Sequence, residues 1–167
     1  MRPERVVDLV AEIRSELDAL RQVAETAGDI WDTLPSEDRE RRIHESALAL
    51  HLHNYYTGIE KLLERIADEL NGGLPAGREW HVRLLHSMTL ELPDIRPPVI
   101  RPETEKALRE FLAFRHVIRN IYAFELDSER LTLLMKRFGQ SYDLFKTDVE
   151  EFLVVLAAMA AGKNVGG

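Results

Sequence analysis

Arg115, His116, Arg119, Asn120 and Tyr122 stand close together in the stretch FRHVIRNIYAF, residues 114–124. No acidic residue interrupts them, in a chain whose formal net charge is -7. The side chains limit the chemistry such a group can do. Guanidinium stays cationic and meets a phosphate or a carboxylate with paired hydrogen bonds. Imidazole titrates near neutrality and can move protons, whereas a side-chain amide can only donate and accept hydrogen bonds. Two arginines one helical turn apart repel unless something anionic lies opposite. That anion is either a carboxylate from elsewhere in this acidic chain, with His116 and Tyr122 filling the core edge, or a bound phosphate. Periodicity alone leaves both open.

The group needs an element to hold it. At 100° per residue, with Arg115 at zero, Tyr122 falls at about 340°, Arg119 at about 40°, His116 at about 100° and Asn120 at about 140°. Phe111, Phe114, Val117, Ile118, Ile121 and Phe124 fill the complementary arc, the width of a core-facing stripe. An amphipathic helix whose polar face carries only cations and donors is expected.

The other elements follow from the prolines and the apolar spacing. Prolines lie at 3, 35, 75, 93, 97, 98 and 102, leaving 36–74 and 103–167 clear for long regular elements. A first helix fits residues 3–28, with Val6, Leu9, Val10, Ile13, Leu17 and Leu20 on one stripe and Gly28 as its end. A second starts at Ser36 and carries apolar positions 43, 47, 50, 55, 59, 62, 63, 66 and 70 up to the stop Asn71-Gly72-Gly73. A short helix fits residues 78–90. The helix bearing Arg115 begins at Pro102 or Glu103, where proline and acids suit a first turn. The last is capped by Asp127 or Ser128, is interrupted at Gly139 and ends at Gly162. No alternating strand pattern and no repeat are found. The reading is all-α: a single-domain antiparallel helical bundle of four long helices plus a short one. Residues 1–35 form an N-terminal helix and connector packing on the bundle, 36–161 the helical domain proper, and 162–167 a flexible tail.

With 167 residues, 45% of them hydrophobic, the chain supports one ordinary core. It has no cysteine, which excludes a disulfide framework, a thiolate metal site and a cysteine nucleophile. The charged N-terminus and the lack of a long apolar run point to a soluble, cytoplasmic protein with no membrane segment. The acidic balance confines any nucleic-acid contact to a local basic patch. No phosphate loop, serine-nucleophile motif or carboxylate pair at metal-binding spacing stands out, so neither cofactor nor metal is expected. His51 and His53 diverge by about 200° on a helix and read as structural. His44, His51 and Tyr55 share a stripe suited to core or edge packing. Trp80 and His81 are expected to anchor the short helix on the bundle, and Asp148, Glu150 and Glu151 to form a solvated face.

The stretch AFRHVIRNIYAFELDSERL resembles the signature of HEPN-domain proteins, in particular the HepT-like ribonuclease toxins. Upstream, the landmarks YYTGIE, WH..LL and IRP are similar to the same group and stand in the same order, so the resemblance covers about residues 40–150. It implies a homodimer in which the motif helix faces its copy across a positively charged cleft that cleaves RNA without metal. Carried over by position, Arg115 is the motif arginine that binds RNA and stabilises the transition state, with Arg119 a further RNA-binding cation. Asn120 stands where these toxins often have histidine. General acid and base work would then fall to His116 or to a residue of the partner chain. Tyr122 matches the tyrosine that a cognate nucleotidyltransferase antitoxin of the MNT type AMPylates. The alternative implied by the missing histidine is a catalytically degenerate HEPN dimer that binds nucleotide, RNA or a partner.

Overall fold

The computed structural model describes residues 3–122 and 125–163. Five α-helices follow one another: α1 (Pro3–Asp32), α2 (Asp38–Ile66), α3 (Trp80–Ser87), α4 (Pro102–Ile118) and α5 (Ser128–Lys163). The fold is all-α, with four long helices and one short one, and no strand occurs among the described residues.

Cross-contacts give the directions. Arg5 pairs with Glu69, Arg65 with Glu12 at 2.6 Å, and Gly58 lies against Leu20, so α1 and α2 run antiparallel. A β-carbon on Gly58 would stand 3.1 Å from Leu20 Cδ1, a close approach that seats the two helices together. Arg101 meets Asp148, Glu110 meets Arg137 and Arg130 lies over Phe114, so α4 and α5 are antiparallel as well. The expected α1 stripe is buried in full, and Tyr55, Ile59, Leu62, Leu63 and Ile66 carry the core along α2. Tyr55 packs edge-on against Phe111 and Phe138, and its hydroxyl meets Ser141 Oγ at 3.0 Å. His44 and His51 turn back to backbone carbonyls of their own helix.

Several boundaries differ from the sequence reading. Helix α1 passes through Gly28 to Asp32, and α5 passes through Gly139, because tertiary packing along both helices outweighs the roughly 1 kcal/mol cost of an internal glycine. The cap of α2 is Glu37 rather than Ser36; its carboxylate accepts the Arg39 and Glu40 amides at 3.0 and 2.8 Å. Ile43 and Leu50 face solvent, while Leu48 and Leu52 take the core positions. The glycine stop works as expected: α2 widens into a π-helical turn, Ala67–Asn71, closed by Gly72 at φ 79°. Asp127 caps α5, its Oδ1 accepting the Glu129 and Arg130 amides. Phe124 of the motif stripe, and residues 164–167 of the expected tail, lie outside the described residues.

The acidic cluster on α5 is corrected in one member. Asp148 is buried, not solvated: it accepts the Arg101 amide at 2.8 Å, Arg101 Nε at 2.6 Å and the Thr104 hydroxyl at 2.5 Å. A carboxylate supplied by α5 thus caps the N-terminus of α4, where unsatisfied amides and the helix dipole favour an anion. Glu150 and Glu151 remain exposed. The connector before α4 is fastened by Arg96, which is buried and donates to Asn71 Oδ1 and to the carbonyls of Ser87, Leu90 and Pro97. Helix α4 is therefore fixed at its start by two arginines and one aspartate.

Candidate active site

Helix α4 ends at Ile118, short of the full motif. Asn120 Nδ2 donates to the His116 carbonyl at 2.8 Å, while the Asn120 amide bonds the Val117 carbonyl at 3.1 Å. The side chain thus takes the acceptor that the next helical turn would have used, the competition that makes asparagine a helix terminator. Asn120 and Tyr122 are therefore not on the helical arc that the wheel assigned them. The Tyr122 amide donates to Glu125 Oε2 at 2.8 Å, and the tyrosine is 72% exposed.

The structure also moves Arg115. Expected on the polar face, it is only 7% exposed, lying against α2 with Nη2 3.2 Å from Glu60 Oε1 and Nε donating to Thr57 Oγ1 at 3.3 Å. Its Nη1 is buried with no acceptor among the described residues. Glu60 explains the displacement: a carboxylate buried on the core side of α2 requires a cation, and Arg115 reaches it. Arg119, one turn on, is exposed and makes no ion pair among the described residues. The two arginines thus answer the charge question differently, one inward to a carboxylate and one outward.

Glu60 holds a second group. Its Oε2 lies 2.6 Å from His81 Nδ1, the second residue of α3. The Trp80 ring stacks on His81 with centroids 3.7 Å apart and packs against the core, so the pair anchors α3 as expected. His81 also meets His116 edge to face, centroids 5.5 Å apart. Partial burial, then the neighbouring His81 and Arg115, hold the His116 imidazole below its ordinary value, so its neutral form dominates at pH 7. Burial and then the Glu60 charge push the Tyr56 phenol well up, keeping it neutral beside the pair. Partial burial, with Glu60 and Asp68, raises Glu64.

The result is a compact polar centre where α2, α3 and the end of α4 meet: Glu60, Arg115, His81 and His116. Of the residues picked out in the sequence, Arg115 and His116 are brought into it, while Asn120 is engaged with its own helix. Glu60 and Thr57 are not among the site residues picked out in the sequence, where His81 is an anchor only. The signal for Glu60 was available, since an acid flanked by Ile59, Leu62 and Leu63 on an apolar stripe has to find a cation.

The model of one protein family, HepT-like protein, matches residues 47–156. This chain belongs to the HepT-like family. The matched segment of this HepT-like protein runs from the first half of α2 into the second half of α5 and contains the whole polar centre, whereas α1 lies outside it. The HEPN-type helical fold expected from the motif is the fold observed. No match was found among curated proteins or among solved structures. No group of three or more potential metal ligands occurs among the described residues of the HepT-like protein, and no described helix is long and apolar enough to cross a membrane.

Proposed function

We propose that this HepT-like protein is the toxin of a toxin–antitoxin pair: a metal-independent endoribonuclease whose cleft forms where two copies meet. The family is toxin-like and ribonuclease-associated. What carries the reading in this molecule is the grouping of Arg115, Arg119 and a neutral His116 at the end of α4, with exposed Tyr122 following in the chain. In RNA cleavage by the 2′-hydroxyl, a neutral imidazole removes the hydroxyl proton and a guanidinium stabilises the negative charge that builds on phosphorus. His116 fits the first role and Arg115 the second, with Arg119 drawing in the RNA backbone. A nucleotidyltransferase antitoxin of the MNT type then silences the site by AMPylating Tyr122, which sets a bulky anion against the arginines.

The test is cleavage of RNA by the purified protein in the presence of a chelator. Wild type is expected to cleave and Arg115→Ala to lose activity; a wild type that never cleaves refutes the reading. The second reading, a degenerate HEPN dimer that binds RNA, nucleotide or a partner, draws on two observations. Arg115 is already paired with Glu60, and Asn120 is engaged with the His116 carbonyl. Salt-dependent RNA binding without cleavage is its expected result.

A further inference from the structure

We propose that His81, held by Glu60, supplies the second acid–base imidazole that position 120 lacks. The inference rests on the ribonuclease reading and concerns which side chains complete that site. Cleavage through the 2′-hydroxyl needs two proton-transfer groups near one phosphorus, and only one histidine, His116, lies on the motif itself.

The geometry around His81 has the form of a carboxylate–imidazole pair. Glu60 Oε2, 2.6 Å from Nδ1, accepts that N–H and so fixes the tautomer and the ring orientation, leaving Nε2 as the working nitrogen. Nε2 makes no hydrogen bond among the described residues. Trp80 stacked on one side restricts the ring further. The other oxygen of Glu60 meets Arg115, so one carboxylate sets the position of both the proposed acid and the charge stabiliser. His116, edge-on at 5.5 Å, is close enough to serve the same phosphate.

In the step this assigns, neutral His116 takes the proton of the 2′-hydroxyl as the 2′-oxygen bonds to phosphorus. Protonated His81, its charge compensated by Glu60, gives its Nε2 proton to the 5′-oxygen as the bond from phosphorus to that oxygen breaks. The products are a 2′,3′-cyclic phosphate and a 5′-hydroxyl end. His116 gains one proton and His81 loses one, and no further reactant is needed.

The test compares wild type, His81→Asn, Asn120→His and the double variant on mixed-sequence single-stranded RNA with a chelator present. Asparagine keeps a donor for the Glu60 carboxylate but cannot transfer a proton, and thermal unfolding checks that the variant is folded. Expected for His81→Asn is a fall in kcat of about 10²–10⁴-fold with KM little changed, and loss of one limb of the pH–rate profile. Around His81 the profile is shaped by Glu60, Glu64 and Tyr56 from α2 and by Arg115, His116 and Arg119 from α4, so the comparison is made variant against wild type. Asn120→His is expected to restore activity to the His81→Asn background. A folded His81→Asn that cleaves like wild type with both limbs intact overturns the proposal and leaves the ribonuclease reading standing. A silent wild type made active by Asn120→His also overturns it, since His81 would then not replace the missing histidine. Silence of both wild type and Asn120→His removes the ribonuclease reading itself, and this inference with it.

Discussion

Glu60 on α2 and Arg115 on α4 form an ion pair at 3.2 Å, with side chains 5% and 9% exposed, at the point where the motif helix leaves the core. The arginine that the motif would offer to RNA is thus already held by an acid of its own chain. A buried pair of this kind stabilises little by its presence and costs much when broken, because the survivor stays charged and desolvated.

Glu60→Ala is therefore expected to destabilise the protein by about 3–5 kcal/mol, since it strands Arg115 and releases His81 together. Denaturant unfolding of the variant measures it. The double variant Glu60→Leu, Arg115→Met is expected to recover most of the loss; failure to recover shows that the pair does more than neutralise charge.

Removing the α5 carboxylate that caps α4 should be felt at the other end of the motif helix. Asp148→Ala leaves the Arg101 amide and the buried Thr104 hydroxyl without their acceptor, and a loss of about 2 kcal/mol is expected. Asp148→Asn, which retains an acceptor but not the charge, should fall between. Thermal melts of the three proteins give the order.

His116 ties stability to pH. Its folded value lies below its ordinary one because partial burial, His81 and Arg115 disfavour the imidazolium. The unfolded chain then binds more protons in the window just below about pH 6.5, so stability declines as pH drops through that window and levels off below the folded value. Above about pH 6.5 both states are neutral there and the group contributes nothing to the slope. Unfolding midpoints of wild type and His116→Gln between pH 5 and 8 should diverge only in that window, wild type losing more on acidification. Parallel curves contradict the assignment.

If a nucleotidyltransferase partner modifies the protein, Tyr122 is the residue its exposure favours. Tyr55 and Tyr56 are buried and Tyr142 is partly covered. Co-expression with such an enzyme should give a mass gain of one AMP in wild type and none in Tyr122→Phe, with peptide mapping placing the adduct on residues 120–125. An adduct that persists in Tyr122→Phe moves the site elsewhere.

The α1 stripe from Val6 to Leu20, the glycine stop after Asn71, the start of α4 at Pro102 or Glu103 and the cap of α5 at Asp127 or Ser128 are legible in the chain, because each depends on neighbours within a turn or two. Several of the places where expectation and structure part have a tertiary cause. Gly28 and Gly139 are read through because packing along a long helix overrides a local preference. Asp148 is buried because Arg101 and Thr104, far away in sequence, converge on it.

The same division holds at the site. Residue types alone limit the chemistry on offer: two arginines, a histidine and an asparagine in place of a second histidine, in a stretch with the HepT-like motif. Where each of them stands depends on contacts made across the fold. Helical periodicity assigns Arg115 to a face but cannot say what stands opposite. A buried carboxylate on α2 turned it inward, and Asn120 ended the helix by competing for a carbonyl. His81 reached His116 because Glu60 holds it across 21 residues of chain. Long-range pairing with Glu60 sets the positions of Arg115 and His81, which no local pattern encodes, whereas the end of α4 at Asn120 is a local competition for a backbone carbonyl.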